Sequence, residues 1–169
     1  RHGVAGVTIR RVAAELGRST ATVTHYAPDR RSLLDAAVGT ALDRRRAEAE
    51  QVVAAAVDPL RALLAWSVGS DDDVWRALVA AVTSGVEPAI DRLVIDFDRW
   101  WEEVVRRLLR GRLADGVDED DAVAAIGAVV DGLLLTPDAA ALSTERRHRV
   151  LQLVLGPMLR DGVTGIDRA

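Results

Sequence analysis

Apolar residues recur at intervals of three and four along this chain, and nowhere do they alternate strictly with polar ones. That spacing predicts helices throughout and no strand. Thr8 precedes Ile9, Val12, Ala13 and Leu16, so it is placed to cap a short helix with one apolar face. Gly17 supplies the left-handed residue that closes such a helix. Ser19 caps a second short helix reaching about residue 26, Pro28 stops it, and Asp29 caps a third. The third helix runs from residue 30 to about 56, with Leu33, Leu34, Ala37, Val38, Ala41 and Leu42 at helical spacing, and turns charged from Asp43. The expected boundary between an N-terminal head (residues 1–46) and a body (residues 47–169) therefore falls inside a helix.

The body reads as five more helices. DPLRALLAWSV and SDDDVWRALVAAVTSG form two of them, the second with three aspartates at its positive end. Pro88 opens a long helix to about residue 113, with a stripe of Leu93, Val94, Phe97, Trp100, Trp101, Val104, Val105, Leu108 and Leu109. Arg106, Arg107, Arg110 and Arg112 crowd its C-terminal end, where cations are favoured. After a break at Gly116, an acidic first turn leads into AVAAIGAVVDGLLL, apolar nearly all round, and Pro137 ends it. Ser143 or Thr144 caps the last helix, ERRHRVLQLVLGPMLRDG. The fold class is all-α.

Composition narrows the chemistry. The 169 residues include no cysteine, which excludes disulfides and thiolate metal sites and fits a reducing cytoplasm. His2, His25 and His148 do not pair at ligand spacing, so no metal and no cofactor is expected. No apolar run approaches the roughly 20 residues that span a bilayer. There is no Gly-rich phosphate loop or serine elbow, and the carboxylates cluster at helix starts, where capping explains them. Catalysis is not expected. The net charge is −4, yet residues 1–50 hold nine arginines against six acids, and the other 119 residues hold thirteen against twenty. A basic end on an acidic body suits a polyanion-binding head.

The stretch TIRRVAAELGRSTATVTHYAPDRR, beginning at Thr8, has the parts of a helix-turn-helix. Ala13 is small where two helices would cross, Gly17 forms the corner, and Val23 pins the second helix inward. That leaves Arg18, Ser19, Thr20, Thr22 and Thr24 facing outward, toward a major groove. Short hydroxyl side chains allow close approach to phosphates or base edges, and a threonine methyl can meet a thymine methyl. Tyr26 and Arg30 follow as natural phosphate ligands. A helix-glycine-helix corner also occurs in purely structural bundles.

GVTIRRVAAELGRSTATVTHYAPDRRSLLDAAV resembles the DNA-binding segment of the TetR family of bacterial repressors. Thr8, Val12-Ala13, Gly17, Ser19, Thr22-Val23, Tyr26 and Arg30 follow the family pattern in order and spacing. Two positions depart from it. Thr24 stands where the family has a phosphate-binding tyrosine, and Ala27 replaces a core aromatic. The resemblance implies that Arg18, Thr20, Ala21 and Thr22 face bases, while Ser19, Thr24, Tyr26 and Arg30 hold phosphates. It also implies a helix before Gly3 that this sequence lacks, so a truncated start is expected.

For the body, the resemblance implies an antiparallel effector and dimerisation domain. The two apolar helices, at about 119–136 and 144–161, would pair with those of a second copy around a two-fold axis. Two reading helices then lie about 34 Å or a small multiple apart on an inverted-repeat DNA operator. Trp66, Trp75, Phe97 and Trp101 are candidate walls of a pocket for an apolar or amphipathic effector, with Asp131, Thr83 and Ser84 as polar handles. Ordinary core packing explains the same aromatic residues. The expected function is a ligand-responsive transcriptional regulator released from its operator by that effector. A helical protein-interaction module without DNA binding is the alternative.

Overall fold

The computed structural model of the chain describes residues 4–69, 73–83, 88–135 and 142–160. The fold is all-α, as the spacing predicts. Among the described residues, eight α-helices occur and no strand: α1 (Ile9–Glu15), α2 (Thr20–Tyr26), α3 (Arg30–Ala55), α4 (Pro59–Gly69), α5 (Asp73–Thr83), α6 (Pro88–Leu109), α7 (Glu119–Leu135) and α8 (Thr144–Leu155). Among the described residues, no helix is long and apolar enough to cross a membrane. Ser84 and Pro137 lie outside the described residues, as does the Thr83 side chain.

The caps form where the sequence places them. Thr8 Oγ1 accepts the Arg11 N–H at 3.2 Å, Ser19 Oγ accepts that of Thr22 at 3.1 Å, and Asp29 Oδ1 accepts that of Ser32 at 2.7 Å. Ser143, not Thr144, caps α8. The end of α6 differs from expectation: it stops at Leu109, four residues early. Gly111 takes φ +73°, the chain turns there, and Arg112 leaves the helix to reach Asp58.

Two compact units divide the chain, each built from two stretches: residues 1–48 with 72–99, and residues 49–71 with 100–169. In the first, a 3₁₀ turn at Val4–Gly6 lies against α5. Its core holds Ala13, Val23, Leu34, Val38 and Leu42, and also Trp75 and Phe97, whose rings are 5.0 Å apart. The Arg45 guanidinium lies 5.2 Å from the Trp75 ring centre and that of Arg46 lies 5.7 Å from Phe97. Cation–π contact of this kind explains how Arg45, 8% exposed, is tolerated among apolar groups.

In the second unit α4 is the central helix, packed against both α7 and α8, with Leu60, Leu63, Leu64 and Val68 fully buried. Polar side chains reach its backbone. Arg147, 2% exposed, donates to the Val68 carbonyl at 3.1 Å. Ser67 Oγ donates to the Leu63 carbonyl at 2.9 Å and accepts the Trp101 indole N–H at 3.2 Å. Asp58 caps α4 through the Arg61 N–H and takes Arg112 on both oxygens, at 2.8 and 3.0 Å. A short antiparallel tie, Ala114 N–H to the Met158 carbonyl and Arg160 N–H to that of Arg112, fastens the chain after α8.

The hydrogen bonds from Arg112, with the Arg61 amide, hold the Asp58 carboxyl below the usual carboxylate range, against the opposing effect of partial burial. A folded-state value below the unfolded one, about 4, gives stability that is complete above pH 4 and lost as pH falls through the folded value. Asp58→Asn should therefore cost about 1 kcal/mol at pH 7, the scale of a partly exposed charged hydrogen bond. It should also shrink the loss of stability between pH 5 and pH 2. Urea unfolding across that range measures both effects, and an unchanged acid loss in the variant would refute the assignment.

Candidate nucleic-acid interface

α1 and α2 pack on each other across a tight corner. The corner is a Schellman turn: the Gly17 N–H bonds the Ala14 carbonyl at 3.1 Å and the Arg18 N–H bonds the Ala13 carbonyl at 2.9 Å. That turn needs a left-handed residue, and Gly17 supplies it with φ +60°. Ala13 is 2% exposed, Val23 6% and Ala27 4%. One small residue at the crossing, one branched residue on the underside of α2 and one at its exit thus fix the helix.

The opposite side of α2 is open. Arg18, Ser19, Thr20, Ala21, Thr22, His25 and Tyr26 are all exposed, and Thr24 is half-buried. Tyr26 stands out at 82% exposure, with the His25 ring edge-on to it at 5.1 Å. The hydroxyls are held in place: Ser19 Oγ and Thr22 Oγ1 share a bond of 3.0 Å, and Thr24 Oγ1 donates to the Ala21 carbonyl at 3.1 Å. Each oxygen keeps an acceptor lone pair, and a hydroxyl can rotate to donate elsewhere. The structure therefore brings seven of the eight expected residues onto one rod, 18 to 26.

Arg30 is the eighth, and its placement changes what it can do. It is half-buried at the start of α3, where Nε donates to the Val7 carbonyl at 2.9 Å and an Nη donates to that of Val4 at 3.2 Å. A guanidinium expected on a phosphate is engaged in tying down the residues before α1. Arg11 does similar work, bonding the Gly6 carbonyl at 3.0 Å. These backbone ties were not visible in the sequence, since a carbonyl acceptor leaves no residue signature. Arg10, at the start of α1, is exposed as well.

The expected effector residues fall in both units. Trp75 and Phe97 stack in the first unit, while Trp66, Trp101 and Asp131 belong to the second. Trp101 is 9% exposed and its indole N–H is spent on Ser67. Asp131 sits on the exposed side of α7, where partial desolvation pushes its carboxyl above the usual range. The described residues of the second unit line cavities at two places. One of about 390 Å³ lies between α4 and α8, and one of about 120 Å³ lies beside Trp100 and Val104. Neither is lined by any of those five residues. His148 is half-buried on α8, and its Nε2 lies 3.2 Å from the Ala65 carbonyl. Among the described residues, no cluster of three or more histidine or carboxylate groups is placed to hold a metal.

No family model matches the chain, and no curated protein does. Its fold is similar to that of the solved SmeT–triclosan complex, with a TM-score of 0.71 over 99% of this chain and 90% of that one. The two share 21% sequence identity, so the likeness is one of fold.

The corner can be tested by itself. A Cβ added at Gly17 would meet nothing within 4 Å, so Gly17→Ala should cost only the left-handed backbone penalty, about 1–2 kcal/mol. Gly17→Asn should cost less, since asparagine visits that region. Thermal unfolding of the two variants would rank them, and Ala equal to wild type would remove the left-handed corner.

Proposed function

We propose that this chain is a transcriptional regulator that reads duplex DNA with α2, works as a homodimer and answers to a small molecule. One observation carries the reading: a helix pinned by Val23 to its bracing partner, with an open face of Arg18, Ser19, Thr20, Ala21 and Thr22. A polar face this continuous on a seven-residue helix contributes little to stability, and its width suits a major groove. Arg18, Thr20, Ala21 and Thr22 meet base edges, while Ser19, Thr24 and Tyr26 hold phosphates. Arg30 acts by fastening the segment ahead of α1. The resemblance of this segment to the TetR family supports the same roles.

In this reading residues 1–46 carry the DNA surface and residues 47–169 carry the effector and dimer surfaces. The pairing surface is supported by what α7 and α8 leave uncovered. α7 exposes Ala124, Ala128, Asp131, Gly132 and Leu135 along one stripe, and α8 exposes Arg146, Arg149 and Leu153, the last at 77%. Small residues let two helices approach closely, and Asp131 faces a second copy with arginines available on its α8. Two-fold pairing implies an inverted-repeat operator. Small-molecule response is supported by the likeness to a fold solved in complex with triclosan. Release from DNA requires that the effector prefer the DNA-incompetent arrangement.

Fragments selected from random duplex DNA should yield an inverted repeat, and affinity for it should fall as salt rises, through counterion release. Tyr26→Phe should weaken binding to all duplexes alike, by about fivefold, the worth of one hydrogen bond. Thr22→Ala should lower the preference for the selected site more than it lowers nonspecific affinity. No duplex affinity at low salt would overturn the DNA reading and leave a helical interaction module.

A further inference from the structure

The cavity of about 390 Å³ between α4 and α8 has a wall chemistry that specifies its occupant. Leu60 and Leu64 from α4, Leu151 and Leu155 from α8, and Leu159 beyond it make most of the lining together with three alanines. The volume is within the range of small-molecule sites, about 300–1,000 Å³.

Polar groups enter the wall in two places. At one, Asp58 and Arg61 neutralise each other at 3.3 Å, and Asp58 is further held by Arg112 on both oxygens. The Asp58 carboxylate is therefore fully engaged by guanidinium groups. At the other, His148 and Gln152 stand one turn apart on the same side of α8. A carbonyl oxygen can only accept, so the 3.2 Å contact to Ala65 places the proton on His148 Nε2. In the neutral ring Nδ1 is then an acceptor. The Gln152 amide, half-buried, makes no hydrogen bond among the described residues. An apolar pocket whose one carboxylate is already paired, with His148 and Gln152 in its wall, fits a molecule that is mostly hydrocarbon and carries a single hydroxyl.

We propose that this cavity is the binding site for such a molecule, its hydroxyl held by His148 and Gln152. The proposal deepens the ligand-responsive reading by giving the effector a place and a chemical class. It differs from the aromatic set that the sequence pointed to.

Titration of the full chain at pH 8, without DNA, with 2-naphthol and with naphthalene as probes tests it. 2-Naphthol should bind once per chain. Ala62→Phe, which fills the cavity from a half-exposed wall position, should weaken it at least tenfold. Gln152→Leu should weaken 2-naphthol about fivefold, one net hydrogen bond, and leave naphthalene within about twofold. Gln152 is half-exposed, so that variant keeps the test decisive if Ala62→Phe does not fold. Circular dichroism checks both variants.

Absence of saturable 2-naphthol binding by the wild type would overturn the proposal. So would unchanged binding in folded Ala62→Phe, or an equal loss of both probes in Gln152→Leu. If sedimentation shows Ala62→Phe splitting a dimer while the wild type binds no 2-naphthol, the face belongs to a second copy and the proposal falls. Because the titration contains no DNA, failure here leaves operator binding standing, and failure of operator binding leaves this site standing.

Discussion

A seven-residue helix does not hold its shape alone in water. α2 therefore depends on the contact its underside makes, and that contact is narrow: Val23 beneath, Ala27 at the exit and Ala13 at the crossing with α1. Everything said of the outer face follows from it. Were the crossing residue larger, α1 would stand away and the hydroxyls from Ser19 to Thr24 would lose their common orientation. The hydrogen bonds Ser19–Thr22 and Thr24–Ala21 then set side chains on a backbone already fixed. The Schellman turn matters for the same reason, because it sets the angle at which the chain leaves α1 and so the side of α2 that faces outward.

The second unit solves a different problem. Its central helix is apolar enough to bury Leu60, Leu63, Leu64 and Val68 completely, and its two ends still carry backbone groups with no intrahelical partner. Asp58 satisfies the N-terminal end, and Arg147 reaches the Val68 carbonyl at the other. Arg147 is 2% exposed, and burying a guanidinium so deeply is costly unless its donors are used. α7 keeps part of its surface open in the single chain, and α4 takes the enclosed place.

Local signals were legible in the sequence, and distant ones were not. The caps at Thr8, Ser19 and Asp29, the corner at Gly17 and the exposed run from Arg18 to Thr22 depend on neighbours within four residues, and residue type alone reveals them. Arg30 bonds a carbonyl 26 residues away, Asp58 meets Arg112 at a separation of 54 and Arg147 meets Val68 at 79. Nothing at either end of such a pair announces the other. The tryptophans leave a related question open to spacing alone. Spacing tells which face of a helix is apolar, but it does not tell whether that face meets a cavity or another ring, and Trp75 meets Phe97.

The charge of the head shows how a tally can misstate an interface. Residues 1–50 carry an excess of arginine, which pointed toward a polyanion, yet most of that charge is engaged at home. Arg31 and Arg44 pair with carboxylates one turn away, Arg45 and Arg46 lie over aromatic rings, and Arg11 and Arg30 bond carbonyls. Among the described residues, Arg10 and Arg18 are the exposed arginines of this stretch with no such engagement. Under the proposed DNA reading, few spare cations give a shallow rather than a steep salt dependence. In that reading the close fit of short threonine and serine side chains favours discrimination between sequences over strong attraction to any duplex.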